Sequence, residues 1–97
     1  MRVFISQPMK GLSLDVILSR REKAKLDLFK RLANHDIEFI DTWIDEQSAV
    51  ISLGESIKRL DSADVAYFMR GWEKYRGCRI EHQVAVEYGI RCIIYEG

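Results

Sequence analysis

Residues 60–95 read LDSADVAYFMRGWEKYRGCRIEHQVAVEYGIRCIIY, and several patterns succeed one another in them. Asp64-Val65-Ala66-Tyr67-Phe68 is a short run of β-branched and aromatic residues, which predicts a strand. The next ten residues, Arg70 to Arg79, hold four basic side chains against Glu73 alone, a local charge of +3. Ile80, Val84, Ala85 and Tyr88 then recur at helical spacing, Gly89 is placed to cap that helix, and Arg91 to Tyr95 is strand-like again. Strand, basic loop, helix and strand imply two parallel strands joined by a right-handed crossover.

The rest of the chain repeats the alternation. Arg2-Val3-Phe4-Ile5-Ser6 predicts a first strand, stopped by Pro8 and Gly11. From Ser13, a candidate N-cap, the residues Leu14, Ile17, Leu18, Ala24, Leu28, Phe29 and Leu32 mark one long amphipathic helix. Glu38-Phe39-Ile40 predicts a second strand, and the acidic loop Asp41 to Gln47 leads into a helix with Val50, Leu53, Ile57 and Leu60 on one face. The whole chain, residues 1–97, therefore reads as one α/β domain of order β-α-β-α-β-α-β. The expected architecture is a Rossmann- or flavodoxin-like three-layer sandwich: a four-stranded parallel sheet of order 2-1-3-4, with helices on both faces. Ligands of such sheets bind beyond the carboxyl ends of the strands where the winding reverses, here between the first and third strands. The loops there are Gln7 to Leu12 and Met69 to Gly77.

Composition narrows the function classes. With 47% apolar and 31% charged residues the chain matches a globular protein, and 97 residues suffice for one two-sided core. Its formal charge of zero argues against a generic nucleic-acid binder. No apolar run approaches the roughly 20 residues of a membrane span, and the start of the sequence lacks the pattern of a secretory leader. Cys78 and Cys92 are too few and too far apart for a disulfide framework, so both are expected as free thiols in the cytoplasm. His35 and His82 form no metal-ligand spacing, and neither a metal nor a cofactor is expected. The basic segment instead suits a small anion.

Glu81 is the first candidate for chemistry. On a helical wheel it falls among Ile80, Val84, Ala85 and Tyr88, where a carboxylate needs a reason to be. It stands in the first or second turn of its helix, where backbone amides favour negative charge and oppose the pKa rise that burial causes. A poorly hydrated, ionised carboxylate suits a nucleophile; the competing reading has Glu81 capping the helix or pairing with Arg76 or Arg79. Gly77, one turn earlier, either lets a ligand approach or simply starts the helix. Asp64, on spacing alone, reads as a turn or cap residue at the amino edge of the sheet. The loop Gln7-Pro8-Met9-Lys10-Gly11 lies between strand and helix, where phosphate-cradling loops occur. Trp72 either stacks on a base or sugar, closes the core or meets a neighbouring subunit.

Three of these segments resemble the nucleoside 2-deoxyribosyltransferase-like superfamily, most closely its small members grouped as DUF4406. FISQPMKG (Phe4 to Gly11) looks like the family's first strand and sugar or phosphate loop, LDSADVAYF (Leu60 to Phe68) like its aspartate-bearing strand, and GCRIEHQVAVEYGI (Gly77 to Ile90) like its glutamate-bearing helix. The resemblance implies that Glu81 is a nucleophile towards the anomeric carbon of a deoxyribosyl group and that Asp64 positions the sugar or manages a proton. It also implies a nucleoside or nucleotide ligand and a homo-oligomer whose sites borrow residues from a neighbouring subunit, with Trp43 or Trp72 as candidate interface residues. Gln7, Pro8, Met9, Lys10, Gly11, Trp72, Arg76 and Gly77 are the expected substrate contacts, and the basic loop with Lys10 favours a 5′-monophosphate. Tyr75 stands six residues before Glu81, where the transferase branch has an acid and the phosphate branch a small polar residue. The implied activity is N-glycosidic cleavage or deoxyribosyl transfer; the alternative is a noncatalytic nucleotide-binding or sensing domain.

Overall fold

A computed structural model describes residues 1–33, 36–41 and 48–95 of the chain. The strands are β1 (Arg2–Ser6), β2 (Glu38–Phe39), β3 (Val65–Phe68) and β4 (Arg91–Ile94); the helices are α1 (Leu14–Arg31), α2 (Ala49–Leu60) and α3 (Arg76–Glu87). A 3-10 turn, Trp72–Lys74, precedes α3. All strand pairings are parallel, and the sheet order is β2-β1-β3-β4, as the alternation of elements requires. The doubly wound α/β architecture is therefore present. Trp43 and His35 lie outside the described residues, as does the acidic loop beyond Asp41.

The sheet's period of two sorts side chains into two cores. Val3, Ile5, Val65, Tyr67 and Ile93 face α1, where they pack on Ala24, Leu28 and Leu32. Phe4, Ala66 and Phe68 face the other way, against Leu60 of α2 and Ala85 of α3. One helix thus covers one face and two cover the other, the consequence of right-handed crossovers running first leftward and then rightward from β1. α1 begins at its expected cap, Ser13, which accepts from the Val16 amide, and Ser48 caps α2 in the same way by accepting from the Ile51 amide.

Two expected helix faces are only partly buried. Leu14 and Leu18 of α1 remain 50–53% exposed, because 18 residues at 1.5 Å rise make a helix of about 27 Å while β1 and β3 are only five and four residues long. Phe29, one position round the helix from buried Leu28, is 52% exposed against Phe39. The first turns of α1 overhang the carboxyl edge of the sheet. On α3 the buried face is Cys78, Glu81 and Ala85, spaced i, i+3, i+7, whereas Ile80 and Tyr88 turn outward. Glu81 is on the inner face, as its position suggested, keeping Ala85 and Val84 as companions and gaining Cys78 in place of Ile80 and Tyr88.

Candidate functional site

The β1 alternation that sends Phe4 towards α2 and α3 sends Ser6 the same way, at the strand's carboxyl end. There the Ser6 hydroxyl donates to Oε1 of Glu81 at 2.7 Å, and the Ser56 hydroxyl of α2 donates to Oε2 of the same carboxylate. Three elements therefore converge on one carboxylate that is 7% exposed. Glu81 is the sixth residue of α3, past the first turn where the helix dipole acts. The compensation expected from backbone amides is supplied by serine hydroxyls instead. Burial pushes the Glu81 carboxyl above its ordinary value, and the bonds from Ser56 and Ser6 pull it part of the way back. Cys78, one turn before Glu81, joins the cluster: burial pushes its thiol up to about 11, a bond to Ser6 opposing and the Glu81 charge adding. It is a neutral thiol rather than a nucleophilic thiolate.

Asp64 does not share this site. Its Oδ2 accepts from the Arg2 amide at 2.7 Å, at the amino edge of the sheet. Ser6 is four residues further along β1, about 13 Å at strand rise. One sugar ring does not span that separation, so a role for Asp64 beside Glu81 is corrected to that of a residue tying the start of β1 to β3.

The first loop is divided. Gln7 is buried, and its Nε2 donates to the Ile17 carbonyl at 2.5 Å, holding the loop against α1. Pro8 is buried beside it, while Met9, Lys10 and Gly11 are exposed. Gln7 and Met9 line a cavity of about 440 Å³ with Leu14, Ile17 and Arg21. Trp72 is packed rather than presented: its ring lies 5.4 Å from Phe68 and 4.4 Å from His82, and its Nε1 is buried with no hydrogen-bond partner among the described residues. Arg76 and Gly77 open α3 on the surface, and a Cβ at Gly77 would meet no protein atom within 4 Å. A second cavity, about 450 Å³, lies on the α1 side of the sheet under the basic loop. Neither cavity is lined by Glu81 or Asp64.

Ser6, Ser56 and Cys78 are the site residues that sequence patterns did not single out. A signal existed for two. Ser6 closes an apolar strand at the parity of Phe4, and Ser56 stands three residues after Leu53 and four before Leu60, on the apolar stripe of α2. A polar residue inside an apolar period is the same anomaly that marks Glu81.

Fold and site define a doubly wound parallel α/β protein with a carboxylate–hydroxyl cluster at the carboxyl end of β1, beside its switch point. The chain matches no protein-family model, no curated protein and no solved structure.

Proposed function

We propose that the chain acts on a nucleoside or nucleoside 5′-monophosphate as an N-glycosidase or 2-deoxyribosyltransferase-like enzyme, with Glu81 as nucleophile. The observation that supports this is the buried Glu81 carboxylate, held on both oxygens by Ser6 and Ser56 at the switch point of the sheet. A buried carboxylate costs stability, and a stabilising core would use an apolar residue there.

In the proposed reaction a Glu81 oxygen attacks the anomeric carbon as the glycosidic C–N bond breaks. The electron pair leaves with the base, which takes up a proton, and the sugar stays on the enzyme as an ester. Water, or a second base in transfer, then attacks that carbon from the opposite side and frees the carboxylate, so the anomeric configuration is retained overall. Glu81 must be ionised to attack, so its raised pKa makes base release increase with pH through its titration. The first loop and the basic residues near α3 are the segments closest to that edge, and we assign them the sugar or phosphate. A homo-oligomer completing the site from a neighbouring subunit, in the cytoplasm, belongs to the same proposal.

The second reading, a noncatalytic nucleotide-binding or sensing domain, is favoured by one observation: both Glu81 oxygens are already engaged and neither cavity opens on them. Incubation with a panel of deoxynucleosides and their 5′-monophosphates separates the two. Free base released by the wild type and absent with Glu81→Ala supports the enzyme. Nucleotide binding that Glu81→Ala abolishes, with no base release, removes it in favour of the sensing domain.

A further inference from the structure

The α1 side of the sheet carries a site of different chemistry. The cavity of about 450 Å³ is within the size range of small-molecule sites. Arg20 and Lys23 of α1 approach it from one side and Arg70 and Lys74 of the loop after β3 from the other, while among the described residues no aspartate or glutamate lines it. Arg20, Lys23 and Lys74 make no ion pair among the described residues. Tyr75 and Tyr95 add aromatic walls, and Tyr67 and Met69 form the floor. Asp27, a half-buried acid of α1, is already matched: it accepts from the Tyr67 hydroxyl at 2.8 Å and pairs with Arg31 at 3.1 Å. The loop is held in place, with Gly71 at φ 85° and the Trp72 amide bonded to the Met69 carbonyl. The cavity lies beyond the carboxyl ends of β3 and β4, on the ligand-binding edge of the sheet and one strand over from the switch point.

We infer that this cavity binds a phosphate-bearing small molecule carrying more than one negative charge, through Arg20, Lys23, Arg70 and Lys74. Guanidinium and ammonium groups converging from two elements on a partly enclosed space match phosphoryl oxygens, with charge-assisted hydrogen bonds as the source of affinity. The tyrosines suit a ring attached to the phosphate, so the ligand is either a nucleotide or a simple condensed phosphate. Tyr67 and Met69 point to the α1 face of the sheet, and Ser6 and Phe68 to the other. The site is therefore separate from Glu81 and stands whether or not Glu81 is a nucleophile.

Titration calorimetry of the full chain with inorganic pyrophosphate and with ADP, accompanied by amide chemical-shift mapping, tests it. Saturable binding with shifts centred on Lys23, Gly71 and Lys74 is expected. The double variant Lys23→Ala/Lys74→Ala should weaken it roughly tenfold or more, and Lys58→Ala, on α2 across the sheet, should leave it unchanged. Tighter binding of ADP than of pyrophosphate supports the site and identifies a nucleotide as its ligand; equal binding supports it with the phosphoryl groups alone as the determinant. No saturable binding of either probe, shifts centred on Ser6 and Glu81, or a double variant that binds like the wild type would overturn the inference. Because base release reads Glu81 and these titrations read Lys23 and Lys74, either proposal can fail without the other.

Discussion

Glu81 sets the pH behaviour of the molecule through two hydroxyls and its burial. An acid whose native pKa is raised binds more protons folded than unfolded over the range just above its ordinary value. Its contribution is fully present below the unfolded pKa and declines as pH rises towards the raised native one. Glu81→Gln, which cannot ionise, should therefore remove a downward slope in unfolding free energy that begins near the ordinary carboxyl value, and urea unfolding across pH 4 to 8 measures it. Ser6→Ala withdraws one of the two donors from a buried carboxylate, and a loss of about 1–3 kcal/mol is expected. The same variant should move the pH dependence of base release upward. The anomaly of a carboxylate on an apolar helical stripe was legible in the residues alone. Its serine partners were harder to see, because each is anomalous only with respect to its own element, and three elements must meet before the cluster exists. Asp64 shows the opposite case: its place after a helix and before a strand already indicated an edge residue, and its backbone bond to Arg2 agrees with that rather than with sugar contact.

At the scale of elements, glycines separate two kinds of local demand. Gly71 has φ 85° at the entry to the 3-10 turn, so Gly71→Ala forces an L-residue into the left-handed region and should cost about 1–2 kcal/mol. Gly54 lies inside α2 with open space around it, and Gly54→Ala should stabilise by about 0.5–1 kcal/mol. Thermal or urea unfolding of the pair reads opposite signs. Element order was legible because hydrophobic period and capping residues are local; Ser13 and Gly89 stand where α1 begins and α3 ends. The buried arc of each helix was less so. α1 outruns the strands it covers, leaving Leu14 and Leu18 in the open, and the rotation of α3 about its axis is set by which residues meet β3 and α2. Periodicity gives the stripe, while tertiary contact selects the part of it that is covered.

At the scale of the whole molecule, the parallel sheet divides one core into two layers that share every strand. Leu28 on the α1 side and Leu60 on the α2 side are both fully buried. Replacing either by alanine should cost about 2–5 kcal/mol, a large fraction of the roughly 5–15 kcal/mol of a typical domain. If the strands couple the layers, each variant shifts one and the same cooperative unfolding transition; a second transition in either would show the layers melting separately. The sheet order followed from topology rules, which need only the order of elements. Which loops enclose space did not, since the two cavities arise from the overhang of α1 and the path of the chain after β3. Trp72 adds a different kind of consequence. Its indole lies against the His82 ring next to Phe68, one residue along the chain from Glu81. Indole emission responds to its immediate surroundings, and only Trp43 competes with it in this sequence. A Trp43→Phe chain would thus carry a single indole, near the serine–glutamate cluster, and selective excitation of it would let the protein report the arrival of a ligand there by its own light, with no label attached.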